Sequence, residues 1–263
     1  MPHPVNEDTV PISELLALLD ASVRCADAAT SQLRFDVYDT QQRVVVGLWQ
    51  AIIEYARAVA AVVRAGTLYA PAVLARSALD AYVDLVNACV DRDYSDHLAA
   101  ADTRSWRKVL ERASSGRNPY LAALAAEDSF VPGRRMFSER ARELEQRSIS
   151  KLEIDERFRR AGMTVEYEAV WSILSAEAHN NISFITSRYF DLRSERPGLR
   201  DRESRASDQH GYDKACTLNM AEIVVTASER VLQLCGHGTA VIASARIELD
   251  RIRAMFGFVT PAA

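Results

Sequence analysis

Lysine is nearly missing from this sequence: of 32 basic residues only Lys108, Lys151 and Lys214 are lysine, and the other 29 are arginine. Together with the abundance of alanine, this bias fits GC-rich coding and is not in itself a sign of phosphate binding. Cysteine is scarce and scattered. Cys25, Cys89, Cys216 and Cys235 form no CxxC pair and have no clustered histidine, which excludes a zinc ribbon and a disulfide framework and predicts reduced, mostly buried thiols. No apolar run approaches the ~18 residues of a membrane span. Residues 1–9 include Glu7 and Asp8 and lack a basic stretch leading into an apolar one, so no secretory signal is read there and a cytoplasmic location is expected.

The chemical motifs that are missing narrow the function further. There is no GxxxxGK[ST] loop and no GxGxxG turn, so the phosphate cradles of nucleotide hydrolysis and dinucleotide binding are lacking. No GxSxG elbow offers a serine nucleophile. A carboxylate-bridged di-iron bundle needs Glu three residues before His, but Tyr94, Ala176, Ser207 and Leu234 stand there. No cofactor and no metal are expected.

What the chain does have is a globular balance, with 48% hydrophobic and 26% charged residues, and length enough for a large core in one domain. The net charge of −4 is uneven: residues 1–101 carry −6, 102–160 carry +4 and 161–263 carry −2. Any polyanion contact would fall in the middle. There, however, Arg140, Arg142, Glu143, Glu145 and Arg147 alternate in sign, the pattern of a solvated helix face.

Apolar spacing predicts helices throughout. Val44, Leu48, Ile52, Tyr55, Val59 and Val62 share one helical face, with Gly66 as a stop, and a second helix runs from Pro71 to about Val90. Charged helical segments follow at about 93–113 and 135–161, separated by breakers at 114–119 and at Pro132-Gly133. Thr164 reads as the cap of a helix reaching Phe190, and residues 191–211 read as a long mobile loop. Two more apolar stripes, Cys216 to Leu234 and Ile242 to Phe256, complete an all-α multi-helix bundle with no alternating strand pattern. The expected organisation is a single domain, 1–263, with a core at 36–190 and C-terminal helices at 212–257 packed on it.

Two polar stripes interrupt these helices. Arg76, Asp80, Asp84 and Asn87 recur at steps of four, four and three on a helix that is otherwise apolar nearly all round, so they face either water or a polar groove. Glu168, Ser172, Ser175, His179, Ser183 and Thr186 form the second, built mainly from small hydroxyl residues around one histidine instead of the Lys, Arg and Glu of exposed faces. A histidine in that setting either exchanges protons with a bound group or donates a structural hydrogen bond.

Arg76-Ser-Ala-Leu-Asp80, followed by Tyr167-x6-Leu174-Ser175-x3-His179, resembles a bacterial helical family of unknown function, which is in turn similar to the superfamily of higher-eukaryote and prokaryote nucleotide-binding (HEPN) domains. The match spans about residues 45–190, with Asp80 where Glu is commoner. The resemblance implies an often dimeric bundle; in the wider superfamily some members are metal-independent ribonucleases of toxin or phage-defence systems. Their Arg-x4-6-His motif is absent before His179, where Ser172, Ile173 and Leu174 stand. It occurs as Arg92 with His97, Arg205 with His210 and Arg230 with His237, at a spacing loose enough to arise by chance.

Two functions from different classes follow. In the first, the protein cuts RNA without metal: His179 moves a proton, Arg76 offsets charge on phosphate, Ser175 and Asn180 orient it, and Asp80 holds Arg76. In the second, it is a non-catalytic helical interaction or dimerisation module in which Arg76, Asp80 and His179 form a structural network. The expected partners are RNA, a second copy and a protein encoded nearby, with no membrane.

Overall fold

The regular three- and four-residue spacing of apolar side chains across most of the chain is that of packed helices. The computed structural model, which describes residues 10–179, 181–194 and 197–256 (backbone alone at 202 and 206–210), is all-α. Its twelve α-helices among the described residues are α1 (Ile12–Gln32), α2 (Thr40–Arg64), α3 (Ala70–Val90), α4 (Tyr94–Ser114), α5 (Ala122–Ala125), α6 (Phe130–Gln146), α7 (Ile154–Arg160), α8 (Thr164–Glu166), α9 (Ser172–Ala178), α10 (Ile182–Tyr189), α11 (Arg202–Leu234) and α12 (Ala243–Met255). One antiparallel pair, β1 (Phe190–Asp191) and β2 (Gly198–Leu199), is the only sheet among them.

The chain divides into two compact units, residues 1–89 with 158–263, and residues 90–157. In the larger unit α1, α2 and α11 pack on one another, and α12 packs on α1 and α11. α2 starts at Asp39, whose carboxylate accepts from the Gln42 N–H at 3.1 Å, and stops before Gly66, whose φ of +61° is the left-handed turn that glycine adopts freely. Its buried face, including Trp49, Ile52, Ile53 and Val59, meets Leu15, Leu18 and Leu19 of α1 and Met220, Val224 and Val231 of α11 in one core. The indole Nε1 of Trp49 donates to Ser228 Oγ at 2.9 Å, which satisfies the one polar atom that Trp49 takes inside. α2 is also long and apolar enough by length and composition to cross a membrane. α11 is thus part of the same core as α1 and α2, and α1, which the sequence reading does not single out, is the third helix of it.

In the smaller unit α4 packs against α6 around Leu110, Ala113 and Phe130, and Trp106 stacks on Phe137 at 5.8 Å. The alternating charges of α6 face outward in pairs, Arg135 with Glu139 and Arg140 with Glu143, each at 2.7 Å. Pro132 lies in the first turn of α6, where its missing N–H costs nothing, so it does not break the helix as the sequence suggested. The expected helix over 135–161 is instead two, α6 and α7, separated by Ser148 at φ +57°.

Two other expectations are corrected. Residues 164–190 are not one helix, and 191–211 are not one long loop: after the short β pair, Asp201 accepts from the Ser204 N–H at 2.7 Å and caps α11, which begins fourteen residues before the apolar stripe that starts at Cys216. Thr164 is the first residue of α8 and not its cap. All four cysteines are free, but only Cys216 is buried; the other three are half-buried.

Candidate functional site

The stripe on α3 is turned inward. Asp84 and Asn87 are buried, and Arg76 and Asp80 are half-buried. Asp80 Oδ1 accepts a hydrogen bond from Trp171 Nε1 at 2.8 Å, and the Arg76 guanidinium lies 5.2 Å from the centre of the same indole. Trp171 in turn stacks on Tyr167 at 5.3 Å, and Phe158 meets it edge-on at 6.1 Å. Arg76 and Asp80, which sequence reasoning paired with each other, therefore grip a tryptophan. Among the described residues no hydrogen bond or ion pair joins Arg76 to Asp80 or to His179, and the buried Nε of Arg76 has no hydrogen-bond partner. An Arg four residues before an acid is the weaker orientation for a helical pair, and Trp171 takes the carboxylate instead. Trp171 itself was missed; its i, i+4 relation to Tyr167 was the available signal.

Between α8 and α9 the chain forms a π-helical stretch, Tyr167–Trp171, in which the Ser172 N–H donates to the Tyr167 carbonyl five residues back. Ser172 Oγ donates to that same carbonyl at 2.8 Å and secures the wider turn. α9 buries Leu174 and Glu177 and ends at His179, whose backbone N–H donates to the Ser175 carbonyl at 3.1 Å. Asn181 then caps α10 by accepting from the Ser183 N–H at 3.0 Å. This asparagine offers the backbone an alternative to continuing the helix, so Glu168, Ser172, Ser175, His179, Ser183 and Thr186 do not share one helical face. His179 is exposed, and its side chain makes no hydrogen bond among the described residues. Ser175 is half-buried, and Asn180 lies outside the described residues. The other histidines differ: His97 Nδ1 lies 2.6 Å from the Ser150 carbonyl, and His237 Nε2 meets the backbone of Arg34 at 3.0 Å and 3.1 Å. The His210 side chain lies outside the described residues.

A second polar cluster was not read from sequence. Arg188 of α10 and Glu177 of α9 lie 3.5 Å apart with only 9% and 6% of their side chains exposed, and the Arg188 guanidinium sits 3.5 Å from the centre of the Tyr69 ring. Tyr69 has φ +68°, a left-handed backbone uncommon for a bulky residue, and this turn before α3 delivers its ring to the arginine. Burial raises the Glu177 carboxyl above the usual range by more than Arg188 lowers it. Neither Glu177 Oε2 nor Arg188 Nε has a hydrogen-bond partner.

Alongside these clusters α3, the stretch from 161 to 174 and α11 enclose an open groove of about 600 Å³. Tyr212 and Cys216 line it; burial, and after it the Glu177 charge, pushes the Tyr212 hydroxyl up to about 12, and burial does the same for the Cys216 thiol, so both remain protonated. Among the described residues no three His, Cys, Asp or Glu side chains are grouped to hold a metal ion.

A model of a protein family of unknown function, DUF5677, matches residues 42–197, more than half of the chain. No curated protein and no solved structure matches it.

Proposed function

Since the chain belongs to this family of unknown function, we propose its role from its own geometry: it is a non-catalytic helical interaction module, and Arg76-x3-Asp80 is a packing clamp. The observation that carries this reading is the shared grip on Trp171, with Asp80 hydrogen-bonded to the indole and Arg76 lying over it. A hydrogen bond to a carboxylate contributes about 1.5–3 kcal/mol, and a cation over an aromatic face about 0.5–2 kcal/mol, so the clamp fixes the π-helical stretch against α3. That is work for stability, and it engages the two residues that a phosphate site would need free.

One observation favours the ribonuclease reading, the HEPN-like alternative. His179 is exposed with no side-chain partner among the described residues, as a group that accepts a proton from substrate must be. Both readings are tested by incubating mixed single-stranded RNA in EDTA with wild type, His179→Ala and Asp80→Ala, alongside thermal melts. The interaction module is expected to leave RNA intact. Asp80→Ala should cost about 1–3 kcal/mol, and His179→Ala less than about 0.5 kcal/mol. Cleavage by wild type that His179→Ala abolishes at unchanged stability would establish the nuclease instead.

A further inference from the structure

The groove between α3 and α11 has the shape and chemistry of a site for a slender ligand. On α11 its lining runs from Tyr212 through Cys216, Asn219, Ile223 and Thr226 to Arg230, a helical length of about 27 Å at 1.5 Å per residue. A groove of about 600 Å³ drawn out along that much of one helix is elongated. Such an outline, running along α11, suits an extended chain. Leu79 and Val86 of α3 and Val170 and Ile173 also line it, and its walls are mainly apolar.

The polar groups in this lining are few and largely unused by the protein. Tyr82, Tyr212 and Asn219 make no side-chain hydrogen bond among the described residues, whereas Glu222 is held by Arg253 at 2.5 Å. Arg230, at one end of the α11 lining, is exposed and has no hydrogen bond or ion pair among the described residues. An arginine fork at the end of an apolar channel matches a carboxylate, which it can bind through two parallel hydrogen bonds. Glu166 is the one lining acid without a partner among the described residues, and it makes an ammonium head the competing choice.

We propose that this groove binds a linear, long-chain monocarboxylate, with the hydrocarbon along α11 and the head at Arg230. Arg76, Asp80 and His179 are not among its lining residues, and the proposal holds whichever reading of those residues is correct.

Dodecanoate, dodecanol and dodecylamine, each below its micelle concentration at pH 7.5, would be titrated calorimetrically into the full-length chain and into two variants. Arg230→Gln removes the fork from an exposed position, and Ala215→Trp fills the groove from an exposed position in its lining. Dodecanoate is expected to bind wild type at micromolar concentration and more tightly than the other two. Arg230→Gln should weaken it by about tenfold or more, and Ala215→Trp should abolish binding while melting close to wild type. Absence of dodecanoate binding to wild type, or undiminished binding to Ala215→Trp, would overturn the site. Tighter binding of dodecylamine, or an Arg230→Gln variant that binds dodecanoate as well as wild type, would overturn the carboxylate assignment.

Discussion

Trp49→Ala is expected to destabilise the larger unit by about 3–5 kcal/mol, enough to remove much of the stability of an ordinary domain. Trp49 is fully buried in α2, and no other tryptophan in the chain is. Truncation opens a cavity where α1, α2 and α11 meet, in a core whose other members are already in close contact and cannot collapse to fill it. It also removes the Ser228 partner, although Ser228 Oγ keeps its bond to the Val224 carbonyl at 2.6 Å and is not left unsatisfied. Trp49→Phe should therefore recover most of the loss, since it restores volume and gives up only one hydrogen bond. Urea denaturation of the three proteins checks this; a loss below about 1 kcal/mol for Trp49→Ala would mean that this core is not tightly packed.

Arg188→Ala should be as damaging, for an electrostatic reason and with a distinct dependence on pH. It leaves the Glu177 carboxylate buried without its counter-charge, at a cost of about 3–5 kcal/mol. The sign follows from the Glu177 proton. A carboxyl raised in the folded state binds its proton more tightly folded than unfolded, so the penalty for ionising it is absent below the ordinary carboxyl range near 4.3 and grows as pH rises through the raised value. Removing Arg188 takes away the interaction that lowers this pKa and raises it further. The deficit of Arg188→Ala relative to wild type should accordingly be smallest near pH 4.5 and increase toward pH 7.5. Adding Glu177→Gln to Arg188→Ala should restore stability at pH 7.5 and do little at pH 4.5. Denaturation at a series of pH values provides the measurement, and a deficit that shrinks as pH rises would show that the pair is not what holds α9 and α10 together.

The helices were legible wherever one face is apolar and a breaker ends it. Val44 to Val62 gives α2 apart from its first turn, and Pro71 to Val90 gives α3 nearly to the residue, because burial against neighbours imposes the 3.6-residue period directly on side-chain type. The start of α11 was not legible, since residues 202–211 lack that period; the Asp201 cap was the only local signal. The break after His179 was hidden for a similar reason, as Asn181 stops one helix by capping the next while the hydroxyl stripe continues through both. Within the site, sequence singled out Arg76 and Asp80 but not Trp171, because spacing along one helix cannot say which side chain from another element will fill the space beside it. The Glu177 and Arg188 pair escaped notice because each looks like an ordinary surface charge until burial is known.

The π-helical stretch before α9 gives this part of the chain an unusual relation to insertions and deletions. Its five residues, Tyr167–Trp171, occupy a turn wider than the α-helical turns that follow it. Each residue of an α-helix advances the chain by about 100° around the axis. A turn closed five residues back holds one residue more than an α-turn, so loss of one residue from the stretch would close it to an ordinary α-turn and leave Leu174 on the core and Glu177 beside Arg188. Glu168 and Ala169 are exposed, so either can be exchanged, and one of them can be dropped. Divergence here is thus free in length as well as in residue identity, and natural variants should differ at 168 and 169 by single-residue gaps as well as by substitution.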